Sequence, residues 1–392
     1  MYERGSKIIR DARVFDYDYV PDKLIGRNEQ LDTLELLFRP LAEYGRPCTA
    51  MLMGPVGTGK TAAAKCFCRD LSEYCSVKGS PIDIIFVNCR SRNSEAAVLL
   101  QMVQHFDKGF PERGFSPDQI WRALRQHISN EGKDIIIVLD EVDVLLKKNS
   151  MDLVYQISRF TEGGPSVGRT VSLIMISQEP LLNMLDEASF SSFRRANSVL
   201  FDKYDREELR EIVMQRSNVG IIPGKIGDEP IDMIAESSAV YGDARMAIEL
   251  LDKAANMAES EGAEEIDAEH VRGAEAMIYS TVSESKLKTL DKSRMLTLLA
   301  ISRAIKKSRY INITAAEKTY AIVCEEYDET PRKHTQFWTY VQDIEKLGVI
   351  STVVLNDSNG RTTLISLPSI PSKVLSEKME ALLEKSSKEA KR

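Results

Sequence analysis

The eight residues Gly54-Pro55-Val56-Gly57-Thr58-Gly59-Lys60-Thr61 have the types and spacing to hold a phosphate. They fit G-x-x-x-x-G-K-[ST], with Cys48–Met53 ahead reading as a short buried strand and Ala62–Cys68 behind as the start of a helix. Each part has a chemical task. Glycines let backbone N–H groups approach an anion with no Cβ in the way. The helix N-terminus adds a partial positive charge. Lys60 reaches the β- and γ-phosphates, and the Thr61 hydroxyl ligates Mg²⁺. The competing reading, a glycine-rich turn after a strand, is disfavoured by the flanking strand and helix.

A second set of reactive groups lies downstream. Ile135–Leu139 is continuously apolar, the pattern of a parallel strand buried on both faces, and it ends in Asp140-Glu141. Carboxylates at the C-terminal tip of such a strand fall in the crevice where a nucleotide lies. Asp140 would hold Mg²⁺ through its water shell, and Glu141 would orient or deprotonate the attacking water. Taken alone the pair could be an acidic turn capping the next helix; Lys60 upstream favours the catalytic reading. Val171–Ser177 is another apolar strand, which puts Gln178 at its tip, near the γ-phosphate or the attacking water.

A scaffold must bring these tips together. Ile82–Cys89 reads as a further buried strand, with helices at Ser94–Phe106 and Asp118–Ser129 around a loop at Phe110–Phe115. Strands alternating with helices predict a parallel, doubly wound sheet. Residues 1–20 mix charge with aromatics and read as an arm; Asn28 then caps a helix striped by Leu31, Leu34, Leu37 and Phe38. Ser192-Phe193-Arg194-Arg195 offers a basic doublet that either faces a neighbouring subunit or is a solvated turn.

From Tyr204 the pattern becomes helical, at Arg206–Ser217, Ile231–Val240, Asp243–Ala258 and Ala268–Tyr279. Within it, Gly242-Asp243-Ala244-Arg245 places an arginine in a first helical turn, where it opposes the helix dipole and so calls for an anionic partner such as phosphate. Residues 283–292 read as a linker. Beyond them come a helix at Arg294–Lys306, a strand at Ile311–Ile313, and a helix at Ala315–Glu326 opened by the capping box Thr314–Glu317. Thr330-Pro331 then caps a third helix running to Leu347. A hairpin of Val349–Leu355 and Arg361–Leu367 follows, and the last twenty residues read as charged helix and tail. Three helices and a two-stranded wing make a winged-helix pattern. Arg332, Lys333, Gln336 and Tyr340 are the outward positions of the third helix, suited to phosphates and base edges in a major groove, with Arg361 on the wing reaching the next groove. Winged helices also dock proteins, and that alternative stays open.

The charge distribution agrees with contact to nucleic acid at one end. The net charge is −7, yet residues 291–392 carry 17 Lys and Arg against 13 Asp and Glu, a net of +4 that leaves −11 for the rest. No run of eighteen apolar residues occurs and the first residues lack a signal-peptide core, so a cytoplasmic, nucleoid-associated protein without membrane contact is expected. The six cysteines show no framework spacing and read as buried reduced thiols.

Phosphate loop, Asp140-Glu141, a helical lid bearing Gly-Asp-Ala-Arg and a C-terminal winged helix together resemble the archaeal replication initiators of the origin-recognition/cell-division-control type, AAA+ ATPases related to the eukaryotic origin recognition complex. The resemblance extends to Tyr19–Arg27, Ile322–Tyr327 and Gly360–Ile365, and covers nearly the whole chain. It implies an AAA+ base (parallel sheet) at 21–202 after an arm at 1–20, a helical lid at 203–282 and a winged-helix domain at 291–385. It implies ATP/ADP and Mg²⁺ as cofactors. Nucleotide would be bound by Val20, Ile25, Gly26 and Arg27, by Pro55, Val56, Gly57, Thr58, Gly59, Lys60, Thr61 and Ala62, and by Asp140, Tyr204, Arg216 and Arg245. Thr61 and Asp140 would hold the metal, while Glu141, Gln178 and Arg245 (the sensor-2 arginine) serve hydrolysis. Residues from about Arg90 to Phe115 fall where the family carries a helical insertion that touches DNA. The partners implied are duplex origin DNA, the replicative helicase and sister initiator subunits. One departure stands out: the sensor-1 position, usually asparagine, is Gln178, one methylene longer, which predicts slow hydrolysis and a long-lived ADP state. A clamp-loader-like or remodelling ATPase, its winged helix docked on protein, is the rival reading. A DNA-binding regulator with a purely structural nucleotide is a third.

Overall fold

In the computed structural model, which describes residues 6–148, 151–158, 160, 170–179, 197–278, 287, 290–306, 308–357, 360–367 and 371–390, the chain forms two compact units. One holds Val20–Asp205 with Tyr241–Ala244. The other holds the residues up to Tyr19, Arg206–Val240 and those from Arg245 onward.

The first unit is built on a five-stranded parallel sheet. Its strands are β1 (Thr49–Met53), β2 (Ile82–Asn88), β3 (Asp134–Asp140), β4 (Val171–Ser177) and β5 (Ser198–Leu200), in the spatial order β2-β3-β4-β1-β5. β3 lies inside the sheet, between β2 and β4, because its residues need cover on both faces: Ile135–Leu139 are all fully buried. Successive side chains point to opposite faces. Ile135, Ile137 and Leu139 therefore join the cluster under α3 (Glu95–Phe106), α4 (Pro117–Glu131), α5 (Val142–Leu146) and α6 (Met151–Ser158). Ile136 and Val138 join the one under α1 (Asn28–Tyr44) and α2 (Lys60–Val77). Each such side chain stabilises the layer by about 1.5–3 kcal/mol. Asn28, expected as a cap, is instead the first helical residue of α1, and Arg27 at the cap position makes no side-chain cap bond because a guanidinium has no acceptor to offer the first N–H groups. The α4 start is firmer than its sequence suggests: Ser116 and Gln119 form a reciprocal capping box ahead of Pro117.

The second unit joins lid and winged helix. Its lid helices are α7 (Arg206–Gly220), α8 (Asp228–Ala239), α9 (Ala244–Glu261) and α10 (Ala268–Ile278). Residues 6–19, expected as an arm, are packed on them. Ile8, Val14 and Phe15 are buried, Ile9 bridges Ile221, and the Glu259 carboxylate accepts the N–H groups of Lys7 and Ile8 at 3.0 and 2.9 Å. The apolar residues between the charges supply the packing that a charge count overlooks.

The winged helix comprises α11 (Lys292–Ile305), β6 (Ile311–Asn312), α12 (Ile313–Glu326), α13 (His334–Lys346), β7 (Ser351–Asp357), β8 (Gly360–Ser366) and α14 (Ser372–Ala390), with an antiparallel sheet ordered β6-β8-β7. Three expectations are corrected here. α12 starts at Ile313, because Asn312 caps it through the Ala315 N–H at 2.7 Å, ahead of the Thr314 box. α13 starts at His334 and not at Pro331, with Lys333 extended at its cap position. The C-terminal helix is a core element, with Leu375, Met379 and Leu383 fully buried; Leu287 and Leu290, both within the expected linker, join the same cluster. α10 binds the winged helix directly. Arg272, fully buried, pairs with Glu269 at 2.9 Å and donates to the Ser308 and Lys306 carbonyls, while Glu269 accepts from the Ser372 hydroxyl and Lys373 N–H. Among the described residues no helix is long and apolar enough to cross a membrane.

Candidate nucleotide site and DNA-facing surface

The sheet's register levels its strand tips. Met53 pairs with Ser177, and Asn88 pairs with Asp140, so Gly54, Asn88, Asp140-Glu141 and Gln178 emerge along one edge. From β1 the chain enters the loop, whose Gly57 (φ +73°) and Gly59 (φ +84°) adopt left-handed backbone that L side chains resist. Alternating hand in this way turns successive N–H groups to one side as an anion nest. Lys60 opens α2 almost buried, its Nζ 2.7 Å from the Gly54 carbonyl and 2.5 Å from that of Pro55. Val56 and Pro55 form the exposed outer turn; Ala62 lies half-buried in α2.

The Thr61 hydroxyl donates to Asp140 Oδ2 at 3.0 Å. Two hard oxygens so placed suit Mg²⁺, which takes its remaining ligands from phosphate and water. No group of three or more His, Cys, Asp or Glu among the described residues is placed to hold a metal by itself. Asp140 Oδ1 accepts the Glu141 N–H at 3.0 Å, which helps hold Glu141 at φ +54°. The Glu141 carboxylate accepts from Gln178 Nε2 at 3.3 Å, Arg90 at 3.4 Å and Asn88 Nδ2 at 3.5 Å. Gln178 thus reaches Glu141 despite its extra methylene. Asn88 and Arg90 escaped the sequence reading, although the strand-tip reasoning used for Asp140 would have found Asn88 at the end of β2. Cys89, beside them, is buried, which pushes its thiol up to about 12, with the Asp140, Asp143 and Glu141 carboxylates adding to the effect. It is no thiolate nucleophile.

Three further positions close the loop's outer side. Arg27 and Tyr204 are buried and stacked, the guanidinium 3.7 Å from the ring centroid. Arg27 donates to the carbonyls of Thr58, Gly26 and Asp202, so the side chain expected at nucleotide is engaged with backbone. The Ala244 N–H donates to the Gly57 carbonyl at 3.0 Å, and a Cβ on Gly57 would collide with Asp243. Val20 and Ile25 are half-buried, with Val20 against the α1 side of the core.

Arg216 and Arg245 belong to the second unit. Arg245 is exposed near the start of α9. Arg216 is buried, stacked over Tyr19, and donates to the Val14 and Tyr19 carbonyls, which anchors the packed N-terminal segment. Arg194 and Arg195 lie outside the described residues.

On the winged helix, Arg332 and Lys333 are exposed just before α13, and Gln336 is exposed in its first turn. Tyr340 is a correction: it is 7% exposed and packs inward, with Arg294 over its ring. The outward row includes Thr335, Thr339 and Gln342, polar positions opposite the buried Phe337, Val341 and Ile344. Arg361 stands on β8 opposite Asn356, with its side chain outside the described residues.

Comparison with known proteins follows the same division. Residues 46–185 match the AAA domain, 210–276 the Cdc6 AAA+ ATPase-type lid domain, and 285–377 the CDC6 C-terminal winged helix domain. An ORC1-type DNA replication protein of Pyrococcus horikoshii is 31% identical over 380 residues, 95% of this chain and 90% of that one. The crystal structure of Cdc6p from Pyrobaculum aerophilum superposes with a TM-score of 0.77 at 28% identity, covering 97% of this chain and 99% of that one. The Aeropyrum pernix ORC1 protein, solved in complex with DNA, gives 0.65 at 27% identity over 97% and 98%. With its AAA domain, helical lid and winged helix in this order, the chain belongs to the archaeal ORC1/Cdc6-type family of AAA+ replication initiators.

Proposed function

We propose that this chain binds duplex origin DNA under the control of ATP, hydrolyses that ATP slowly, and helps recruit the replicative helicase. The observation that carries the DNA reading is the exposed Arg332-Lys333 pair leading into α13 of a winged helix, in a chain 27% identical to a relative solved on DNA. The basic pair meets phosphates, and the polar row Thr335, Gln336, Thr339 and Gln342 faces base edges.

At the nucleotide, the phosphates replace the Gly54 and Pro55 carbonyls as partners of Lys60. Bound Mg²⁺ would screen the phosphate charge, held through the Thr61 hydroxyl and Asp140. Glu141 orients the attacking water from the tip of β3, and Gln178 holds the same carboxylate. Because Gln178, Arg90 and Asn88 compete with water for the Glu141 oxygens, hydrolysis is slow and serves as a switch. Arg245 is assigned to the γ-phosphate, and Arg194 or Arg195 to a neighbouring subunit's site.

Footprinting on duplexes from the source genome tests this reading. Protection near a replication origin, weakened by both Arg332→Ala and Arg361→Ala, is expected. Weak, unlocalised binding indifferent to both changes would replace it with a remodelling ATPase whose winged helix docks protein. Single-turnover hydrolysis accelerated several-fold by Gln178→Asn is expected; a rate already as fast as ordinary AAA+ motors would overturn the switch.

A further inference from the structure

Thr58–Gly59 is the central peptide of the phosphate loop, lying between Gly57 at φ +73° and the helix start at Lys60. A trans peptide is planar, so its C=O and N–H point in opposite directions. Whatever fixes the Thr58 carbonyl therefore also aims the Gly59 N–H. Arg27 Nε donates to that carbonyl at 2.8 Å, in a bond shielded from water.

The guanidinium is itself immobilised. Its other nitrogens donate to the Asp202 carbonyl at 2.8 Å and the Gly26 carbonyl at 2.6 Å, and its face lies 3.7 Å from the Tyr204 ring centroid. Arg27 keeps 3% exposure. Tyr204 closes the enclosure, since a Cβ on Gly59 would come within 2.5 Å of its hydroxyl. Arginine suits this place because its planar fork serves several acceptors at once and stacks on a ring, which a lysine ammonium does not.

We propose that Arg27 is a positioning residue that locks the Thr58–Gly59 peptide with its N–H turned into the phosphate cradle, without touching the nucleotide itself. The proposal rests on nucleotide binding at this loop. The glycines that let the loop adopt its shape also let this peptide rotate, and the carbonyl bond to Arg27 removes that freedom. The same guanidinium ties the peptide to Asp202, two residues beyond β5, so the loop and the chain leaving the sheet share one fixed point.

The sequence supplies a selective probe. Thr58-Gly59 is the single Thr-Gly step in the 392 residues, so the full chain labelled with ¹³C-carbonyl threonine and ¹⁵N-glycine yields one carbonyl-filtered amide signal. Wild type is expected to give one sharp Gly59 signal that moves on adding Mg·ADP. Arg27→Met is expected to split or broaden that signal without nucleotide and to raise the ADP Kd roughly tenfold, the size expected for a lost charged hydrogen bond. Arg27→Lys should fall between the two. If Arg27→Met does not fold, Tyr204→Leu, which removes the stacking face, should shift both readouts in the same direction. A single, unmoved Gly59 signal in Arg27→Met, or an unchanged ADP Kd, overturns the proposal. Failure of wild type to bind ADP would overturn the nucleotide reading instead, and the nucleotide-free spectra separate the two.

Discussion

Lys60 and the Arg332-Lys333 pair both stand at the start of a helix, yet they are set up in opposite ways. Lys60 is 7% exposed and held against two loop carbonyls, where one anion at one place can take it up. Arg332 and Lys333 are exposed and precede α13, where many anions along a backbone can meet them. The first has the geometry of a site that selects; the second is an exposed basic surface, and on the proposed reading its specificity comes from the polar row behind it. Loss of one side chain should accordingly be nearly all-or-none at the loop and graded at the helix.

The largest effect expected is at Lys60. Lys60→Ala should weaken ATP and ADP binding by roughly 100-fold in calorimetry, as for removal of a buried charged partner. A loss of only a few-fold would place the loop with the surfaces and erase the contrast. Glu141→Gln should slow single-turnover hydrolysis by about 100-fold or more while leaving ATP affinity within about threefold, the signature of a lost general base. A Glu141→Gln protein that hydrolyses normally would hand the role to another carboxylate. On the winged helix, Arg332→Ala or Lys333→Ala should each weaken DNA binding several-fold near 0.15 M salt and lower the salt slope by about one. Complete loss from either one would mean a built site and sink the comparison from the other side.

The smallest effect concerns the lid. Glu275 is buried on α10, and burial pushes its carboxyl up to about 7, offset in part by the Ser237 hydroxyl and Arg272. The folded state therefore holds a proton that the unfolded chain releases near pH 4.5, so this stabilisation is present below that pH and fades as pH rises through about 7. Melting temperature should fall between pH 5 and 7.5 in wild type and fall less in Glu275→Gln. Parallel curves would show that the carboxyl is ionised throughout.

Legibility in the sequence followed the same contrast. The loop, β3 and the Asp140-Glu141 tip were readable because glycine spacing and a fully apolar strand admit few conformations. The start of α13 was not. Thr330-Pro331 is a sound local cap, but the helix begins only at His334; Tyr340, three residues after Phe337 and four before Ile344, shares their buried face, a phase that helical spacing already carries. Residues 6–19 were misjudged because Ile8, Val14 and Phe15 find their partners some two hundred residues away on α7 and α9. The resemblance implies Arg27 at the nucleotide, whereas its guanidinium is held by three carbonyls, two of them from residues distant in sequence.

Glu141 sits at φ +54°, a conformation that costs a residue with a Cβ about 1–2 kcal/mol and costs glycine almost nothing. Selection for thermal tolerance alone would drift toward glycine at this position, gaining stability while discarding the carboxylate proposed to orient water. A heat-challenge library of this protein should therefore enrich Glu141→Gly among its survivors, and those survivors should keep ATP and never turn it over.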